Sequence, residues 1–304
     1  MTSIPGHLIT IYMRFRNIFM PPFRGVLDVR KERADTETLA QTFGKFSGVE
    51  KIPVSANGVP AEWIFPEGSH PKRTILYLHG GTFLAGSITS HRSLAASIAL
   101  AAKARCLLID YRLAPENPYP AGPDDVEIAY QWLLDNGTLA KNIAVAGDSA
   151  GGTLTIGLLQ RLRDKKKTMP AVGVCLSPAF DLSFGGETWK TNKKSDVMLV
   201  YEKEKVGVSL YLNGKDARDP EVSPIFGELH GFPPILIQVG TAEVLLSDAV
   251  NFTEKAKTAG ADVTLQKWDG MQHEWQFATS ILPEARQAVQ KIGEFVKNHI
   301  PETD

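Results

Sequence analysis

From about residue 50 the chain alternates short, near-continuous apolar runs with longer segments whose apolar positions recur at helical spacing. Runs at 50–54, 62–65, 74–78, 105–110, 142–146, 171–176, 234–239 and 263–267 read as strands. The central ones, such as TILYL and ILIQV, lack polar alternation, as strands covered on both faces do. Helices are predicted near 90–103, 123–135, 150–164, 246–259 and 283–299. Such alternation predicts an α/β fold, with a mostly parallel eight-stranded sheet flanked by helices. The first two strands have no helix between them. The turn signal Ala56-Asn57-Gly58 predicts an antiparallel hairpin at the sheet edge.

Two regions break the alternation. Residues 1–45 precede the first strand, and 184–215 separate two strands with loosely patterned, helix-like sequence. Both are too long for simple connections, so an added helical layer is expected over a body formed by 46–183 and 216–304. The N-terminal apolar stretch is interrupted by His7, Arg14 and Arg16. It is too short to span a bilayer and lacks the flanks of a secretory signal. An amphipathic helix is expected there, lying on the protein or on a membrane surface. Its aromatics Phe15, Phe19 and Phe23 are candidates for shaping a pocket, with plain packing the alternative. There is no internal repeat or low-complexity segment, and Lys165-Lys166-Lys167 reads as solvated surface at a helix end.

Chemistry enters with Gly147-Asp148-Ser149-Ala150-Gly151, which follows the apolar strand NIAVA and opens a helical stretch. In that context G-x-S-x-G is the nucleophile elbow of an α/β-hydrolase fold. The turn strains the serine backbone, and Cβ atoms two residues either side would collide, so both positions require glycine. Ser149 is thereby exposed at the sheet edge, beside a helix N-terminus that favours negative charge. His79-Gly80-Gly81-Thr82 follows the strand TILYL. Acyl transfer needs N–H donors aimed at the developing oxyanion, and adjacent glycines let amides approach closely. The expected donors are the amides of Gly80, Gly81 and Ala150. His79 is expected to order this loop rather than act as the base.

A serine nucleophile requires a base and an orienting carboxylate, here in the chain order Ser, acid, His. Three histidines follow Ser149. His230 precedes a strand, and His299 ends the terminal helix. His273 follows the strand-like VTLQKW and precedes a helix, which is the placement of the base. The acid is expected after ILIQVG. Glu243 lies in that loop. Asp248 is the alternative, with N-terminal capping as its plain explanation. Asp269 is too close to His273 along the chain.

The formal net charge of −1 gives no long-range field for nucleic acid or an anionic membrane, so a small-molecule partner is expected. Cys106 and Cys175 lie in apolar runs and read as buried thiols, not a disulfide framework. A cytoplasmic location is expected.

Taken together, HGG, GDSAGG and the stretch Asp110-Tyr111-Arg112-Leu113-Ala114-Pro115-Glu116-Asn117-Pro118-Tyr119-Pro120-Ala121 resemble the hormone-sensitive-lipase-like esterases. The resemblance runs from about Tyr77 to Glu274. It implies a triad of Ser149, Glu243 and His273, no cofactor, and a cap made from the two unplaced regions. It implies short- to medium-chain ester substrates, with amide, formamide or thioester hydrolysis and non-catalytic ligand binding as alternatives. It also implies a homodimer through the edge strand near 263–267, and a structural role for the 110–121 stretch. Two positions depart from the pattern. Thr82 replaces a third glycine, which bears on acyl-pocket room and bulky tertiary alcohols. Glu243-Val244-Leu245 stands where Asp-Pro-Leu is usual.

Overall fold

The computed structural model describes residues 2–18, 23–43 and 49–302. Strands β1 (Val49–Ala56) and β2 (Val59–Pro66) form the predicted hairpin. Asn57 and Gly58 make its turn with φ of 51° and 96°. The remaining strands are β3 (His70–Leu78), β4 (Ala104–Ile109), β5 (Ile143–Asp148), β6 (Val172–Leu176), β7 (Ile235–Gly240) and β8 (Val263–Trp268). They form one sheet in the order β1-β2-β4-β3-β5-β6-β7-β8. β2 pairs antiparallel with β1 and β4, and every other pairing is parallel. All residues of β5, β6 and β7 are buried, as their unbroken apolar runs predicted.

Side-chain alternation along β3 divides the core. Ile75 and Tyr77 face helices α3 (Ile88–Ala102) and α9 (Pro283–His299). Leu76 and Leu78 face α4 (Ala121–Asp135) and α5 (Ala150–Asp164). Farther along that second face, α5 and α8 (Leu246–Thr258) enclose Ile235, Ile237 and Val239 of β7. Each of these helices lies within a few residues of its predicted position. β3 starts earlier than expected, because its first residues, His70 to Arg73, carry no apolar run. The buried Arg73 guanidinium there donates to the carbonyls of Ala102 and Ile300 at 2.9 Å. Those bonds replace the water that burial removes. Cys106 and Cys175 are buried free thiols, and burial pushes both up.

The two irregular regions are helical. The first 45 residues contain α1 (Ile4–Ile18) and α2 (Val29–Phe43); the insertion contains α6 (Thr188–Thr191) and α7 (Tyr201–Leu212). α2 is pinned by Arg33, which donates to the carbonyls of Leu84 and Ala114 and pairs with Glu116. Glu32 of α2 meets Lys203 of α7 at 2.7 Å. α1 turns Met13 inward and leaves Ile4, Leu8, Ile11 and Tyr12 exposed. Among the described residues no helix is long and apolar enough to cross a membrane.

Candidate active site

Ser149 sits between β5 and α5 with φ 48° and ψ −117°, a backbone conformation costly for a residue with a side chain. The surrounding packing enforces it. A Cβ at Gly147 would lie 2.7 Å from the Leu78 carbonyl oxygen, and one at Gly151 would lie 2.9 Å from that of His79. The Ser149 amide donates to Leu176 O at 2.8 Å.

The loop after β8 carries His273 to this turn. Its Nε2 lies 3.2 Å from Ser149 Oγ, and its Nδ1 lies 3.0 Å from Glu243 Oε2. All three residues are buried, so Ser149 does not stand exposed at the sheet edge as expected but opens only into the cavity described below. Glu243 Oε1 accepts from the Gly240 amide at 2.6 Å and from Ser177 Oγ at 2.8 Å. Those two donors fix the carboxylate and compensate the extra methylene of glutamate. Burial pushes Glu243 up, and the His273 hydrogen bond opposes it. For His273, burial acts downward, while the carboxyls of Glu274 and Glu243 overcome it and drive the imidazole up.

The other sequence candidates go elsewhere. Asp248 accepts from the Asp181 amide at 3.0 Å. His230 is exposed beside Glu228, and His299 binds the Phe295 carbonyl. His79 is buried, with Nδ1 2.8 Å from Gly80 O, and burial lowers it to about 3, so it is a neutral loop-ordering ring. Tyr111 stacks on it with centroids 4.2 Å apart and donates to its carbonyl at 2.7 Å. The 110–121 stretch thus supports the loop after β3 as expected.

One expected donor is redirected. The Gly80 amide bonds Asp148 Oδ2 at 2.9 Å. The amides of Gly81 and Thr82 make no backbone hydrogen bond among the described residues. Ala150 is the first residue of α5, where helix geometry leaves the N–H unpaired. Thr82, at φ 54°, donates its hydroxyl to Glu204 Oε2 of α7 at 2.7 Å.

Above Ser149 and His273 opens a cavity of about 540 Å³. Ile9 and Met13 of α1, Thr36 of α2, and Met198 and Leu199 of the insertion line it. Phe15 and Phe23 do not line it, and Phe19 lies outside the described residues.

Several polar residues here escaped sequence reasoning. Asp148, inside the elbow motif, accepts from Tyr77 Oη at 2.6 Å and meets His91 Nε2 at 3.2 Å. Asn192 of the insertion donates to the carbonyls of Thr241 and Glu243, and Gln272 bonds Ser195 O and the Val197 amide. No periodicity marks such residues. Only their position within the elbow motif, or beside His273, could have singled out Asp148, Gln272 and Glu274.

A strand–turn–helix serine, a buried imidazole and a buried carboxylate, set beneath a helix-lined cavity, are the arrangement of a nucleophilic hydrolase. Comparison with known proteins agrees. A family described as the alpha/beta hydrolase fold matches residues 75–277. An acetyl-hydrolase of Streptomyces hygroscopicus is 38% identical over 89% of this chain and 90% of its own. An esterase of Acinetobacter venetianus is 36% identical over 85% and 86%. A crystal structure of an esterase from the bacterial hormone-sensitive lipase family superposes with a TM-score of 0.93 at 41% identity, over 99% of this chain and 100% of that one. The chain belongs to the hormone-sensitive-lipase-like esterases of the α/β-hydrolase superfamily, and is a serine carboxylic ester hydrolase.

Proposed function

We propose that this protein hydrolyses short- to medium-chain carboxylic esters by a Ser149–His273–Glu243 triad through an acyl-enzyme. The observation carrying this reading is the continuous hydrogen-bond chain from Ser149 Oγ through His273 to Glu243. Ser149 attacks the ester carbonyl as His273 Nε2 takes its proton. Glu243 fixes the imidazole tautomer and stabilises the imidazolium. The tetrahedral oxyanion is held by the amides of Gly81, Thr82 and Ala150. The imidazolium then protonates the departing alcohol, and a water activated by His273 releases the acid.

Helices α1, α2 and α7 act as a cap, whose apolar cavity suits an acyl or alkyl chain. β8 lies at the sheet edge, and a homodimer through it predicts twice the 33.3 kDa chain mass in light scattering.

Hydrolysis of p-nitrophenyl acetate and butyrate tests the reading. The Ser149→Ala variant is expected to lose at least about 10⁴-fold in kcat. A phosphonate probe is expected to add to Ser149 in the wild type. Unaltered turnover in Ser149→Ala removes that residue from its role.

A further inference from the structure

Beside the proposed triad lies a second, half-buried carboxyl that the mechanism above leaves unused. Glu274 follows His273, takes a left-handed backbone with φ 55°, and projects into the catalytic cavity. Its Oε1 lies 3.6 Å from His273 Nε2, on the nitrogen that must accept the serine proton. The same side chain lies beside the Asp148 carboxyl. The two carboxyls crowd one spot: a Cβ at Gly80 would overlap an Asp148 oxygen and lie 2.7 Å from Glu274 Oε1.

Two adjacent carboxyls, one fully buried and one half-buried, repel when both are ionised, which favours one proton shared between them. Hydrogen bonds decide which carboxyl holds it. Asp148 accepts from Tyr77 Oη, the Gly80 amide and His91, all of which favour its anion. Besides Asp148, Glu274 faces His273 from its own loop and His91 of α3. Tyr77 of β3 and Tyr111 lie near it, and Glu243 and Glu204 both act on the neighbouring His273.

We propose that Glu274 is a positioning residue, held as a neutral acid by the Asp148 anion so that His273 remains an unprotonated base. This rests on the triad reading above. The titration directions agree: Asp148 lies well below the usual carboxylate range, and burial raises Glu274 to about 8. A charged Glu274 is the largest of the influences that lift His273, to about 10. An imidazole so held would be an imidazolium across the neutral range and could not take the serine proton. The elbow aspartate thus acts at a distance, setting the charge beside the base through a shared proton.

The acid limb of kcat/KM against pH for p-nitrophenyl butyrate reads out the base. Glu274→Gln, a neutral isostere, is expected to titrate within about half a unit of wild type. Asp148→Asn releases the shared proton and lets Glu274 ionise, so its limb is expected to move up by about one unit or more. The double variant is expected to return to the wild-type midpoint. A downward shift of more than about one unit in Glu274→Gln alone overturns the proposal, because it means that wild-type Glu274 is charged. A folded Asp148→Asn with the wild-type midpoint overturns it equally. If Asp148→Asn fails to fold, the Glu274→Gln midpoint alone decides. A wild type without turnover on any ester counts against the esterase reading, whereas limb positions bear on Glu274 only.

Discussion

Thr82 concentrates the tension between stability and specificity at a single residue. A β-branched side chain at φ 54° costs about 1–2 kcal/mol relative to glycine. Its hydroxyl is anchored on Glu204, so the side chain stands as a fixed wall between the loop after β3 and the cap. Thr82→Gly is expected to raise kcat/KM for tertiary-alcohol esters relative to n-butyl esters by about tenfold, the size of a one-methylene-scale steric term. Parallel assays of the two ester types check this. Glu243 makes the opposite case, in which length is needed. Its Oε2 reaches His273 while Oε1 rests on Gly240 and Ser177. Glu243→Ala is expected to reduce kcat by about 10³–10⁴-fold with little change in KM, because the tautomer and the imidazolium lose their support. Steady-state kinetics separates the two parameters.

At the scale of elements, the insertion carrying α6 and α7 does more than cover the cavity. Asn192 ties it to the acid loop and Gln272 ties it to the histidine loop. Asp196 Oδ2 accepts from the Val244 amide at 2.9 Å. One segment therefore braces both loops that carry the imidazole and its carboxylate. Gln272→Ala is expected to lower kcat by about 10–100-fold, as a loosened base drifts from Ser149. Its melting temperature is expected to change little, since these bonds lie outside the sheet core. A melt beside the kinetic assay distinguishes a positioning loss from unfolding.

For the whole molecule, Glu274 and Asp148 contribute to the pH dependence of stability. Glu274 is raised from 4.5 to about 8, so the folded state holds its proton where the unfolded chain has lost it. Its contribution is present below about pH 4.5 and is lost as pH rises toward about 8. Asp148 has the opposite sign: its contribution is present above the ordinary aspartate range and is lost on acidification. Urea midpoints at pH 5, 7 and 9 are expected to fall for the wild type and to fall less for Glu274→Gln.

The apolar runs and the helical periods placed the eight strands and the five body helices, because burial on both faces of a parallel sheet leaves an unmistakable pattern. The positions of the elbow serine, the histidine after the last strand and the acidic residue after the seventh, which the structure brings together, were also legible, since the order of sheet and loops places them at one end of the sheet. What remained hidden were contacts between segments distant in sequence. The Gly80 amide turns to Asp148 rather than to an oxyanion, Ser177 and the insertion brace Glu243, and Glu274 meets Asp148 across more than a hundred residues. A polar side chain at a loop position looks the same in sequence whether solvent or another carboxyl awaits it. Tertiary packing alone decides which buried polar groups meet, and therefore which proton is shared and which amide is left free.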